Sequence, residues 1–227
     1  MLNPVEQTFW QERWVEGTTG WDLQGPHPAF ATVVKLLSAC GVDIAGARVF
    51  VPGAGRAHDG AAFARLGAEV VAEDFAPGAV AAAQALYRDE RGLIIRQGDA
   101  TVVPAAEIGT WDIVFDRAML CALRPELRGA FLDAVARRLR SGGMHVVLLF
   151  DQIPVTPERP AGSGPPFQIT VADYRDLAGE RFAVATTEDW TTVWPAAKGA
   201  AATDKPRQMS ETVVLARRKN SASEVLR

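Results

Sequence analysis

Between Arg48 and Phe75 the chain reads as strand, glycine loop, helix, strand and acid, an order that leaves few folds open. Val49-Phe50-Val51 is a short apolar run that turns on Pro52, Gly53, Ala54 and Gly55. A helix follows, with Ala61, Ala62, Phe63 and Leu66 as its expected apolar face, and Gly67 closes it. Val70-Val71-Ala72 then makes a second buried strand with Asp74 at its carboxyl end. Two strands joined by a helix, with glycines at the first turn, form a nucleotide-binding βαβ unit. Glycine lets a ligand approach the backbone, and the helix amides beyond the loop receive a carboxylate or phosphate. An acid roughly twenty residues on can accept both ribose hydroxyls. The Gly-x-Gly turn alone is a weak signal, and its third small position is Ala57. A tight turn without a ligand is the plain alternative.

At 227 residues the chain suits one domain with a full core. A net charge of −3 argues against a general nucleic-acid binder. Arg137, Arg138 and Arg140 crowd a helix end, where cations suit the macrodipole. Cys40 and Cys121 are too few for a disulfide framework or a zinc site, so both are expected as buried free thiols, with no metal. No apolar run is long enough for a bilayer, and charge stands where a signal peptide would be apolar. A cytoplasmic protein with no membrane partner is the expectation.

Residues Asn3 to Glu16 read as a helix, with Asn3 as cap and Pro4 in the first turn. Trp10 and Trp14 share one face, and Gly17 ends the helix before Trp21 and Asp22. Three of the 6 tryptophans fall here. They either staple a helix to the core or form a lid whose indoles cover a cationic or aromatic ligand. Further helices are expected over Ala29 to Ala39 and Ala79 to Tyr87, and a strand at Leu93-Ile94-Ile95, followed by Gly98-Asp99-Ala100. Trp111 to Phe115 is a buried strand with Asp116 and Arg117 at its carboxyl end. The helix from Arg124 to Leu139 should stop at Ser141-Gly142-Gly143, with Met144 to Phe150 as the fifth strand. This alternation implies a parallel sheet with helices on both faces.

Residues 151–166 lose periodicity and form a loop long enough to be functional. Thr170 caps a helix over Val171 to Ala178. Phe182 to Trp190 and Glu211 to Arg218 are expected as a hairpin-like pair at the sheet edge, joined through Pro195 to Pro206. No repeat or linker divides the chain.

Five segments in order, FWQERWVEGTTGWD, VFVPGAGRAHD, VVAEDFA, FDRAMLCALRPELR and GPPFQIT, resemble the thiopurine S-methyltransferase family. That family also holds plant and bacterial thiol and halide methyltransferases, and the resemblance covers nearly the whole chain. It implies an α/β, single-domain, Rossmann-like class I methyltransferase over residues 1–227. Its seven-stranded, mostly parallel sheet would have an antiparallel last strand, helices on both faces, an N-terminal helical lid over 1–28 and an acceptor-side loop over 151–167. The implied donor is S-adenosylmethionine. By the same resemblance Trp10, Trp14 and Trp21 belong to the lid, Gly53 and Gly55 approach the methionine portion, and Asp74 with Phe75 holds the ribose side. Gly98, Asp99 and Ala100 match the adenine-side turn, with Asp99 on the base amino group. Asp116 and Arg117 match the reaction centre, and Trp21, Arg117, Met119 and Phe167 with Pro165 and Pro166 the acceptor pocket. His58 and Asp59 match a family pair expected to hold the start of the helix. Two departures stand out: Ala57 replaces a common glycine, and Glu73 replaces an apolar residue and is expected to face solvent.

The implied acceptor is a small molecule of the thiol, selenol or halide class, and the protein a monomer or weak homodimer. Relatives acting on halides and thiols usually carry an aromatic residue at the position of Arg117, which favours a thiol or heteroaromatic thiol. Methyl transfer to a thiolate removes charge as the bond forms, so a dry pocket helps and no strong base is required. Arg117 is the expected partner of an anionic acceptor, with Asp116 orienting Arg117 or the cofactor amine, and a structural salt bridge between the two as the bland alternative. An O- or N-methyltransferase, and a non-catalytic S-adenosylmethionine-binding module, are the rival readings. A dinucleotide reductase fits less well, since neither Tyr87 nor Tyr174 begins a Tyr-x-x-x-Lys pair.

Overall fold

A computed structural model of the chain describes residues 4–153, 157, 164–194 and 207–220. The Asn3 cap, most of the 151–163 stretch and the 195–206 loop lie outside them. The elements run α1 (Pro4–Glu16), α2 (Phe30–Ala39), β1 (Arg48–Pro52), α3 (His58–Arg65), β2 (Glu69–Asp74), α4 (Pro77–Tyr87) and β3 (Leu93–Gln97). After a 3-10 turn at Ala105–Glu107 come β4 (Trp111–Arg117), α5 (Met119–Ala122), α6 (Pro125–Arg138), β5 (Leu139–Gln152), α7 (Val171–Ala178), β6 (Phe182–Trp194) and β7 (Arg207–Arg218).

Seven strands form one sheet in the order β3-β2-β1-β4-β5-β7-β6, and only β7 runs against the rest. Successive strand residues point to opposite faces, so the alternation sorts the core into two layers. Phe50, Val114, Val147 and Val214 join Phe131, Leu132, Val135 and Tyr174 on one side. Val49, Val51, Ile113, Phe115, Val146, Leu148, Val213 and Leu215 join Val33, Leu37 and Phe63 on the other. The strands thus read as near-continuous apolar runs, as a sheet covered on both faces requires.

Several expectations are corrected. Leu66 is 43% exposed, because α3 ends at Arg65 and Leu66 has left the helical face. The fifth strand begins at Leu139: α6 gives way directly to extended chain, which pairs with Trp111 and shifts register before Ile113 meets Met144. The last two strands do pair antiparallel at one end of the sheet, with β7 between β5 and β6 and β6 outermost. Residues 191–194 extend β6 beyond Trp190, since their partners at the start of β7 continue the ladder. Cys40 is only half-buried, while Cys121 is buried, and both are free thiols. Thr170 caps α7 in a capping box with Asp173, as its hydroxyl allows.

Candidate active site

The strand order reverses between β1 and β4, and the carboxyl ends of those two strands open a cavity of about 570 Å³. A switch point of this kind is where open α/β sheets bind ligands. Its floor is Val51, Pro52 and the loop Gly53–Arg56; one wall is Asp74 and Phe75, and the other is Arg117–Met119 with Cys121–Leu123. Trp10, Arg13, Trp14 and Trp21 stand over it, and Phe150, Pro165, Pro166 and Met209 close the far end.

The glycines are required where they stand. Gly53 has φ +56°, and a Cβ there would sit 2.8 Å from Met119 Sδ. Gly55 has φ +53° and lies under the Trp14 indole, whose nearest atom would be 3.6 Å from a Cβ. Its N–H donates to Asp74 Oδ2 at 2.9 Å, and Ala76 N–H donates to Asp74 Oδ1 at 2.9 Å. Burial pushes the Asp74 carboxyl up to about 6 against the pull of these amides. Ala57 adopts a left-handed φ of +59° as it enters α3, which is where a glycine would be unstrained.

The N-terminal segment is fastened at several points. Gln7 Nε2 donates to Phe75 O at 3.1 Å, and Gly78 N donates to Gln11 Oε1 at 3.0 Å, which seats α1 on the start of α4. Trp21 meets Trp10 and Trp14 edge-on, with centroids 5.1 and 6.0 Å apart. Asp22 accepts from Arg56 Nε at 2.5 Å and from Gln24, and lies 3.3 Å from His58 Nε2. Burial opposes ionisation of Asp22, but His58, the Gln24 amide and Arg56 outweigh it and bring the carboxyl down to about 2. His58 Nδ1 pairs with Tyr87 Oη at 2.6 Å, and Asp59 accepts from His27 N at 2.7 Å, so both act around the start of α3. Arg117 Nη2 donates to Trp21 O at 2.9 Å, tying the tip of β4 to the same segment.

The cavity lining brings together Trp10, Trp14, Trp21, Gly53, Gly55, Asp74, Phe75, Arg117 and Met119. It does not include Gly98, Asp99, Ala100, Asp116 or Phe167. Asp116 is fully buried, and its carboxylate accepts from Met119 N at 2.8 Å and Leu120 N at 3.2 Å, holding the four-residue α5. These amides hold its carboxylate; that it also orients Arg117 or a cofactor amine is a proposal. Asp99 Oδ1 takes both the N–H and hydroxyl of Thr101, closing its own turn. The Phe167 ring faces Arg128, 6.0 Å away, while its N–H donates to Cys121 O. Glu73, expected in solvent, is 4% exposed and accepts from Arg96 Nε at 2.7 Å. The period of two turns it to the sheet face opposite Asp74.

Sequence reasoning missed Arg13, Asp22, Arg56, Cys121, Leu123, Phe150 and Met209 in the lining. Phe150 was within reach as the carboxyl end of a parallel strand. Met209 follows from antiparallel β7, whose amino end lies beside the carboxyl ends of the others.

The group that fits this cradle carries a ribose and a compact polar tail, because a half-buried acid stands beside a loop whose two glycines admit close backbone approach. With the sheet order and antiparallel β7, these features define a class I S-adenosylmethionine-dependent methyltransferase. The chain belongs to the thiopurine S-methyltransferase family, whose model matches residues 5–219. It is 30% identical over 179 residues to thiocyanate methyltransferase 1 of Brassica oleracea, covering 76% of this chain and 72% of that protein. It is also 30% identical over 204 residues to a thiopurine S-methyltransferase of Xanthobacter autotrophicus, covering 81% and 89%. Among solved structures, 1,6-didemethyltoxoflavin-N1-methyltransferase of Burkholderia thailandensis, with S-adenosylhomocysteine bound, shares the fold. Its TM-score is 0.69 at 17% identity, covering 97% of this chain and 92% of that one. Among the described residues no helix is long and apolar enough to cross a membrane.

Proposed function

We propose that the protein methylates the sulfur of a small thiol or heteroaromatic thiol. The observation that carries this reading is the make-up of the far end of the cavity: Met119, Cys121, Leu123, Phe150, Pro165, Pro166 and Met209, with Arg117 at the rim. S-Adenosylmethionine supplies an electrophilic methyl group on a sulfonium sulfur. Asp74 accepts from the ribose hydroxyls, and Gly53 and Gly55 let the loop backbone approach the amino-acid portion. Residues 1–28 act as a lid, with Trp10, Trp14 and Trp21 excluding water above the reacting atoms. Of the 151–167 loop, Pro165 and Pro166 belong to the acceptor side. An apolar acceptor pocket favours a step in which a thiolate and a sulfonium lose their charges together. A thiol with a pKa near about 8.5 supplies its own thiolate, so positioning can do most of the work.

Cys121 fits this division of labour. Burial, then the charges of Asp116 and Glu211, push its thiol well up, so it stays protonated beside the acceptor rather than competing with it. Arg117, already held against Trp21 O, is placed to steer an anionic acceptor and to join the lid to the β4 tip. The two free thiols suit a reducing compartment, and the cytoplasm is the one we assign.

The test is a turnover screen with labelled donor against thiopurines, thiophenols, hydrogen sulfide, iodide, and oxygen and nitrogen nucleophiles. Methyl transfer to organic thiols supports the reading; transfer confined to oxygen or nitrogen overturns it. In Arg117→Ala, thiol kcat/KM should fall roughly 10-fold or more while donor affinity changes little, as for a lost charged hydrogen bond. Equal loss of both would remove Arg117 from the acceptor side.

A further inference from the structure

Beneath the tips of β2 and β3, on the sheet face opposite the Asp74 side chain, lies a quartet of charges that the methyl-transfer reading does not use, with Glu73, Glu107 and Arg138 buried and Arg96 partly exposed. Glu73 Oε2 accepts from Arg96 Nε at 2.7 Å, and Arg96 Nη1 reaches Glu107 Oε1 at 2.6 Å. Arg138, fully buried at the end of α6, lies 3.8 Å from Glu73 Oε1 and 3.5 Å from Glu107 Oε2. Its guanidinium packs 4.3 Å over the Phe50 ring. The quartet draws on β2, β3, the 3-10 turn and α6, and its formal charges cancel.

Its output is aimed at one turn. Arg138 Nη1 donates to Ala100 O and Nη2 to Val102 O, each at 2.6 Å. Gly98 backs directly onto Glu73, where a Cβ would sit 2.5 Å from Oε2. The turn is in turn joined to the cavity wall: Gly98 N donates to Asp74 O at 3.0 Å, and Gln97 Nε2 donates to Phe75 O at 3.1 Å. A displacement of residues 98–102 therefore reaches the backbone of the two residues that line the ribose end.

Stability alone is a poor reason for this arrangement. Removing two carboxylates and the Arg138 guanidinium from water, and Arg96 in part, is costly, and apolar residues of similar volume commonly fill such space as well or better. The quartet is also incompletely satisfied, since Glu73 Oε1, Glu107 Oε2 and Arg138 Nε are buried without a hydrogen bond. What directional charges supply, and apolar packing does not, is a fixed orientation for two backbone carbonyls.

We propose that Glu73, Arg96, Glu107 and Arg138 are positioning residues for the adenine end of the cofactor, fixing the 98–102 turn against the tip of β2 without touching the ligand. The inference rests on the reading that adenosine extends from Asp74 toward that turn. Arg138→Met removes both donors to the turn; Glu73→Gln/Arg138→Met removes them while keeping the charges balanced, and serves if the single variant does not fold. Calorimetry with S-adenosylhomocysteine and with S-inosylhomocysteine, which lacks the adenine amino group, reads the effect. In the folded variant, affinity for S-adenosylhomocysteine should fall roughly 10-fold, the worth of about one misplaced hydrogen bond. Preference for adenine over hypoxanthine should shrink by a similar factor, with kcat at saturating donor unchanged. Lost thermal stability with affinity and base preference intact would overturn the proposal, leaving the quartet purely structural. Asp74→Ala is the control: if it too leaves S-adenosylhomocysteine affinity intact, the placement of adenosine itself fails.

Discussion

The two ends of the cavity are built on opposite principles. At the Asp74 end, contacts are polar, local and braced from behind: Gly55 and Ala76 donate to the carboxylate, and the turn after β3 is pinned by Arg138. At the Met209 end, the walls are apolar and arrive from distant parts of the chain, with Leu123 after α5, Phe150 on β5, Pro165 and Pro166 before α7, and Met209 on β7. A cradle of directional hydrogen bonds tolerates little variation in its ligand. A pocket of packed apolar side chains can change its preference through single substitutions that leave the sheet alone. The first end suits a fixed donor, the second a variable acceptor.

The largest effect should come from the polar end. Asp74→Ala removes the acceptor of two ribose hydrogen bonds, a loss of about 3 kcal/mol, or roughly 100-fold in donor affinity by titration. The acceptor KM at saturating donor should hardly move, and a matching loss there would break the division between the ends.

Acidification should act on the same end. Asp74 must be ionised to accept both hydroxyls, and its carboxyl titrates at about 6. Donor affinity is thus full above that pH and lost as pH falls through it, by about tenfold per unit once the free protein is protonated. The same raised value means that folding, unlike binding, gains from protonation of Asp74: its contribution is fully present below the unfolded pKa of about 3.9 and fades as pH rises through about 6. Donor affinity flat between pH 7 and 5 would remove Asp74 from the ribose.

Met209→Ala sharpens the comparison from the other side. Losing part of a buried side chain worth about 1.5 kcal/mol should raise the acceptor KM several-fold, with donor affinity unchanged in a variant shown to be folded. The smallest effect is expected for Ala57→Gly. Relief of a left-handed alanine, about 1 kcal/mol, nearly offsets the entropy of a new glycine, so the melting midpoint and donor affinity should both stay close to the parent's.

The same contrast explains what the sequence disclosed. Gly55 and Asp74 stand 19 residues apart in sequence and are joined by one βαβ unit, so their pattern is local and readable. The Trp10, Trp14 and Trp21 cluster was readable for the same reason. Met209 and Phe150 share a pocket only because β7 inserts antiparallel beside β5, which no local pattern announces. Glu73 was misread because a charge in a strand suggests solvent, whereas here Arg96 and Arg138 were waiting on the buried side. For Asp116, a position at a strand tip says nothing of the backbone amides of α5 that its carboxylate accepts from.

The most direct test is a calorimetric titration of the protein at pH 7.5 with S-adenosylhomocysteine, run beside Asp74→Ala under the same conditions. One saturable site on the parent, weakened roughly 100-fold in the variant, is the expected outcome for two charged hydrogen bonds to a ribose. Equal binding to both proteins, or no heat with the parent, would contradict an adenosine held at the tip of β2.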